Sequence, residues 1–208
     1  MDAIEAVLTP GAVSADLARV ADRVGQSVVG VRGSPSSSGS GVVWDARGLV
    51  ITNHHVAPGE RAEVVLLDGR RLAARVVRHA PSLDLAALRV ESEASWARLV
   101  PAEIGDSSAL RVGELVVAVG NPLGERNAVT LGMLSARPEA DRLLRLALVL
   151  RPGNSGGALA DARGRVVGVP NMVTGWGLSL AIPSATVNRF LGPGMPEREE
   201  AQSELIWV

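Results

Sequence analysis

An all-β chain made of two similar halves is the architecture this sequence predicts, and three features predict it. Short runs rich in Val, Leu, Ile and Ala follow one another from residue 27 to residue 182, at lengths typical of strands. Gly, Pro, Asp and Asn close almost every run, which is turn chemistry. A stretch rich in Gly, Ser and Asp, residues 100–113, divides the runs into two sets of about six strands. Many short strands with little helix between them point to antiparallel sandwiches or barrels.

The first element is an exception. Leu17, Val20, Ala21 and Val24 recur at helical spacing behind Ser14, so a short amphipathic helix over 14–24 with a serine cap opens the chain, inside an N-terminal arm of residues 1–26. The first set of β-rich runs follows at 27–32, 41–44, 49–52, 63–67, 72–78 and 85–90, within a half that spans about residues 27–103. The second set lies at 115–120, 128–135, 143–150, 157–160, 165–169 and 178–182, within a half of about 112–183. Past Pro183, Ser184 is placed to cap a helix over 184–191, which Gly192-Pro193-Gly194 would end. Residues 193–208, acidic and then apolar, read as a tail.

Composition narrows the function. With 208 residues, 47% of them apolar, the chain has ample material for a buried core. Its net charge is -1 with the two signs interspersed, which leaves no electrostatic footprint for nucleic acid or anionic lipid. No cysteine is present, so disulfides, thiolate metal sites and a cysteine nucleophile are all excluded. No apolar stretch reaches the 18 residues that a membrane-spanning helix needs, and residues 1–10 lack the basic start and apolar run of a secretory signal. As written the chain reads as cytoplasmic; it would be periplasmic or extracellular if an upstream segment had been removed.

The strongest chemical signal is Arg151-Pro152-Gly153-Asn154-Ser155-Gly156-Gly157, one serine among three glycines just before a β-rich run. Glycines permit a tight turn that aims consecutive backbone N–H groups at one point and leaves the hydroxyl reachable, as an acyl-transfer nucleophile requires. A plain glycine-rich hairpin satisfies the same pattern, so the motif needs partners. A hydroxyl becomes a nucleophile when a base takes its proton, and that base is usually a histidine oriented by a carboxylate.

Three histidines exist, His54, His55 and His79, the first two adjacent at the end of a β-rich run. His79, beside Arg78 and just ahead of Pro81, reads as a surface residue. Asp84, in Ser82-Leu83-Asp84-Leu85-Ala86, stands at the entrance of a strand apolar on both faces, where a partly buried carboxylate demands a partner. Asp106 lies in Gly105-Asp106-Ser107-Ser108, a turn-forming sequence in which a capping role fits better. The order His, Asp, Ser along the chain is one of the known arrangements of a catalytic triad.

Taken together, these segments resemble the trypsin-like serine proteases of the HtrA (Deg) branch. Gly39-Ser40-Gly41-Val42-Val43 and Thr52-Asn53-His54-His55-Val56 are similar to that family's glycine strand and T-N-x-H-V motif, and the latter selects His55 over His54 as the base. Asp84-Leu85-Ala86-Ala87-Leu88, Val119-Gly120-Asn121-Pro122-Leu123-Gly124, Gly153-Asn154-Ser155-Gly156-Gly157 and Leu180-Ala181-Ile182-Pro183-Ser184 resemble further family blocks in the family's order. The resemblance covers residues 27–190. It implies a chymotrypsin-like fold of two six-stranded β-barrels, with His55, Asp84 and Ser155 in the cleft between them. It also implies an oxyanion hole from the N–H groups of Gly153 and Ser155, with Asn154 shaping the turn, and no cofactor or metal.

Departures limit what transfers. Where the family runs T-D-A-A-I-N, this chain has Leu146-Ala147-Leu148-Val149-Leu150-Arg151, without the acid, and six residues before the serine, where trypsin-like enzymes that prefer basic side chains keep an Asp, it has Val149. A cationic P1 side chain would find no counter-charge there, which predicts a preference for small or medium apolar P1 residues. An inward-packed Val149 would carry no such information. Val149, Arg151, Asn154, Trp176 and Leu178 are the candidate substrate-binding residues.

The loop between Ala136 and Leu143 is short for the family, and no residue of 1–31 is aromatic, so neither loop-driven activation nor N-terminal trimerisation is implied. Family members usually carry PDZ domains, for which the residues after 191 leave no room. The apolar end Ile206-Trp207-Val208 has the chemistry of a PDZ-groove ligand or of a segment that packs on its own barrel. The leading function is an endopeptidase acting on unfolded or extended polypeptide. Its rivals are a catalytically silent binding module of the same fold and a hydrolase of small esters.

Overall fold

The computed structural model describes residues 10–121, 127–136, 143–173 and 179–192. Two closed six-stranded antiparallel barrels make up the body, with one helix before them and one after. The first barrel contains β1 (Val28–Ser34), β2 (Ser37–Val43), β3 (Leu49–Thr52), β4 (Arg61–Val65), β5 (Arg71–Ala80) and β6 (Leu85–Val90), closed in the order β1-β2-β3-β6-β5-β4. The second contains β7 (Leu115–Gly120), β8 (Ala128–Ala136), β9 (Leu144–Ala147), β10 (Ala158–Asp161), β11 (Val166–Val173) and β12 (Ser179–Pro183), closed as β10-β11-β12-β9-β8-β7. This is the chymotrypsin-like arrangement that the sequence predicts. Closure removes the free strand edges that open sheets expose.

Each barrel has its own interior. Val29, Val31, Val43, Val50, Val64, Ala86, Leu88 and Val90 fill the first, while Val116, Ala118, Leu134, Leu144, Leu146, Leu159 and Val167 fill the second. The outward faces of some strands are apolar as well, because the two barrels and the helices bury them. Helix α1 (Pro10–Gly25) sets Val20 and Val24 against Val28 and Val42 of the first barrel and Val117, Val119 and Ala158 of the second. Elsewhere along the seam, α3 (Ser184–Leu191) sets Val187 and Phe190 against Leu49, Ile51, Leu85 and Ala87 of the first barrel and Val169 and Ile182 of the second. Both helices therefore fasten the barrels together.

Several local expectations need correction. Helix α1 already includes Pro10, a full turn ahead of the predicted start, so Ser14 lies inside the helix and is not its cap. Ser184 does not cap α3 either. Its hydroxyl donates to the Gly105 carbonyl (2.7 Å) and accepts from Ser107 N–H (3.1 Å), tying the inter-barrel connection to the helix. That connection also contains a four-residue helix α2 (Glu93–Trp96), whose Trp96 indole N–H donates to the Val90 carbonyl (2.9 Å). Among the described residues no helix is long and apolar enough to cross a membrane.

Candidate active site

The first barrel delivers a histidine and a carboxylate. Strand β3 ends at Thr52 and the chain turns at once, with the N–H groups of Val56 and Ala57 both donating to the Asn53 carbonyl (3.2 Å each). Val56 and Ala57 are buried by this turn, and His55 points outward with its side chain 51% exposed. Facing it, a 3-10 turn over Pro81–Leu83 ends in Asp84, whose φ of 52° and ψ of 45° place it in the left-handed region that aspartate tolerates better than most residues. Its carbonyl accepts from His54 N–H (3.1 Å) and from the Asn53 side-chain amide (3.0 Å), so both loops are locked before any side-chain chemistry begins.

The Asp84 carboxylate, 21% exposed, accepts twice from His55: Oδ1 from the backbone N–H (2.9 Å) and Oδ2 from ring Nδ1 (2.7 Å). A carboxylate can only accept here, so Nδ1 carries the proton and Nε2 is the basic nitrogen. His54, the neighbour that the residues alone do not distinguish from His55, turns the other way and stacks edge-on against His79 at 5.3 Å between ring centroids. Asp106 caps the 3-10 turn over Ser107–Ala109 by accepting from Ser108 N–H (2.7 Å), as its sequence context predicts.

The second barrel delivers Ser155 on the turn that leads into β10. Asn154 N–H donates to the Arg151 carbonyl (3.0 Å) and Gly153, third in that turn, has a φ of 100°, the signature of a type II turn that requires glycine. Gly157 N–H donates to the Asn154 carbonyl and Gly156 N–H to the Pro170 carbonyl (3.0 Å each). The N–H groups of Gly153 and Ser155 donate no hydrogen bond among the described residues. The Ser155 hydroxyl donates to the Asn171 carbonyl (2.9 Å), and no hydrogen bond joins it to His55.

A model of the trypsin-like peptidase domain matches residues 39–169, well over half of the chain. The chain belongs to that family. Serine protease HTRA4 of Homo sapiens is 37% identical over 84% of this chain and 40% of its own length, and a probable periplasmic serine endoprotease, DegP-like, of Bartonella henselae is 36% identical over 79% and 35%. This peptidase chain thus spans about two fifths or less of the curated relatives it matches. Solved structures of the HtrA-type protease AlgW agree: the complex with a decapeptide has a TM-score of 0.71 at 29% identity over 81% of this chain and 64% of its own. The complex with a tripeptide has a TM-score of 0.72 at 32% identity over 81% and 60%.

Within this peptidase fold the expected specificity residues fare unevenly. Val149 is 67% exposed between the buried Leu148 and Leu150, which rules out the inward-packed alternative. Arg151 is exposed, but Asn154 is only 4% exposed, with its side chain turned toward Gly120. Asn154 therefore shapes the turn from beneath and offers no side-chain surface to a substrate. Trp176, Leu178 and the segment Ile206-Trp207-Val208 lie outside the described residues.

Two residues at the site escaped sequence reasoning. Asn171 acts through its backbone carbonyl, for which no side-chain signal exists. Ser40 is fully buried in β2 and hydrogen-bonded both to Thr52 on the His55 side and to Gly153 and Asn121 on the Ser155 side; its signal is a hydroxyl residue between two glycines just ahead of an apolar run.

Proposed function

We propose that the chain is a serine endopeptidase in which Ser155 is the nucleophile, His55 the general base and Asp84 the residue that orients the base. The carrying observation is the doubly hydrogen-bonded Asp84–His55 pair, which leaves Nε2 free to take a proton, together with Ser155 on a turn whose Gly153 and Ser155 N–H groups donate to no partner among the described residues.

In this reading, rotation about the Ser155 Cα–Cβ bond carries the hydroxyl from the Asn171 carbonyl to His55 Nε2, a hydrogen bond that often forms only once substrate is bound. Oγ attacks the scissile carbonyl as its proton passes to Nε2. The oxyanion forms against the N–H groups of Gly153 and Ser155, and the imidazolium is stabilised by Asp84 until it protonates the leaving amine. Water repeats the sequence in reverse to release the acid. An extended polypeptide is the substrate class, a reading supported by AlgW, which has been solved with a decapeptide and with a tripeptide, and the exposed, uncharged Val149 favours small or medium apolar P1 residues. The Bartonella relative, a probable periplasmic serine endoprotease, favours a periplasmic or extracellular compartment over the cytoplasmic one.

The test is cleavage of an unfolded protein such as casein, together with labelling by a fluorophosphonate, by the chain and by Ser155→Ala. Absence of any Ser155-dependent cleavage and labelling overturns the reading. One observation favours a second reading, a latent polypeptide-binding module of the same fold: the Ser155 hydroxyl rests on Asn171 and not on His55. Binding of casein without labelling would select it.

A further inference from the structure

In the turn that carries Ser155, two peptide units are tied at both ends. The unit between Gly153 and Asn154 is tied at both ends, its carbonyl by the Ser40 hydroxyl (2.6 Å) and its N–H by the Arg151 carbonyl (3.0 Å). The unit between Ser155 and Gly156 is likewise tied, its carbonyl by Ser40 N–H (2.9 Å) and its N–H by the Pro170 carbonyl (3.0 Å). Among the described residues, the turn's N–H groups that donate to no partner are those of Gly153, in the unit that precedes the first tied one, and of Ser155, in the unit between the two.

One fully buried residue of the first barrel thus grips both tied units of a turn in the second. The Ser40 hydroxyl spends its single proton on Gly153, and its oxygen accepts Asn121 N–H (2.8 Å) from the end of β7. Its own carbonyl accepts the Thr52 hydroxyl (2.6 Å), three residues before His55. The fit is close: a Cβ on Gly156 would stand 2.2 Å from the Ser40 carbonyl oxygen and 2.3 Å from Thr52 Oγ1.

We propose that Ser40 is a positioning residue for the oxyanion hole: its hydroxyl, oriented by Asn121 N–H, fixes the Gly153–Asn154 peptide and thereby, across the Gly153 Cα, limits rotation of the adjoining Pro152–Gly153 peptide, keeping its Gly153 N–H aimed at the developing oxyanion. A glycine peptide can rotate with little steric resistance, and the Ser40 bond is what opposes that rotation on the carbonyl side. The inference rests on the endopeptidase reading above, because a donor aimed at an oxyanion matters only when acyl transfer takes place.

Peptide turnover by the parent chain, Ser40→Ala and Ser40→Cys, with thermal unfolding of each, tests it. Loss of one oxyanion donor costs on the order of 10²-fold in kcat. Both variants are expected to lose about that much with KM within about twofold of the parent, since a donor used only in the transition state leaves substrate binding alone. Cysteine nearly preserves the shape of serine but is a weak donor and acceptor, so it separates hydrogen bonding from packing. Recovery of kcat in Ser40→Cys, a rise in KM at unchanged kcat, or a loss of activity that merely follows a loss of folded protein would each overturn the positioning role. Unchanged kinetics in both variants would overturn it too. A parent chain without Ser155-dependent turnover is a different result: it removes the endopeptidase reading, and the inference with it.

Discussion

The two barrels contribute to the site by different physical means. The first holds its reactive groups through side-chain hydrogen bonds, Asp84 to His55 at 2.7 and 2.9 Å, on loops that close from Thr52 and from Pro81. The second holds Ser155 through main-chain hydrogen bonds on a glycine turn, where the Gly153 and Ser155 carbonyls both depend on Ser40 from the other barrel. A carboxylate and an imidazole find each other by charge and hydrogen-bonding capacity. A set of aimed N–H groups exists only if the backbone path is imposed from outside.

Substitutions can break this contrast at each level. The largest effect is expected for His55→Ala and Ser155→Ala, one from each barrel, which should each lower kcat toward casein-derived peptides by about 10⁶-fold because the two act as one unit. Combining them should cost little more, and a double variant much worse than either would show that they act separately. Asp84→Asn is expected to lower kcat by about 10⁴-fold with unfolding temperature nearly unchanged. An asparagine amide would donate toward Nδ1 and force the ring proton onto Nε2, the nitrogen that must be basic. A fall below about tenfold would mean that Asp84 does not set the tautomer.

Next come the interiors. Leu88 and Leu159 are fully buried, one in each barrel, and truncation of either to alanine should cost about 2–5 kcal/mol in urea unfolding. Similar losses with a single transition would show that the seam filled by α1 and α3 couples the barrels into one cooperative unit; two separated transitions would show that it does not. The smallest effect is expected on the outer face of β8, where Leu131 is 46% exposed: Leu131→Ser should shift stability by no more than about 0.5 kcal/mol.

Legibility in the sequence followed the same division. All twelve strands left a visible apolar or β-rich run, because burial on one or both faces dictates residue type. Strand β2 was read short, from 41, because Ser37, Ser38 and Gly39 carry no apolar pattern even though they extend the hairpin with β1. Asp84 was legible because a carboxylate at the mouth of an all-apolar strand is costly without a partner. His55 is not separable from His54 by composition or position alone; the resemblance selects it, and of the two only His55 meets the Asp84 carboxylate through Nδ1. The caps assigned to Ser14 and Ser184 failed because a serine hydroxyl near a helix start has other uses, and Ser184 spends its own on Gly105 and Ser107.

The amino-acid pattern by itself determined an all-β chain in two halves, a serine on a glycine turn, and the residue types of a triad in order, since these follow from periodicity, turn chemistry and the cost of a buried charge. Only the tertiary structure decided which peptide groups face the cleft, that Asn154 turns inward, that the Ser155 hydroxyl rests on the Asn171 carbonyl, and that Ser40 of one barrel grips the turn of the other. Each of these depends on main-chain direction and on contacts across 100 residues or more of sequence, or on a carbonyl that every residue possesses, and neither leaves a mark on residue type.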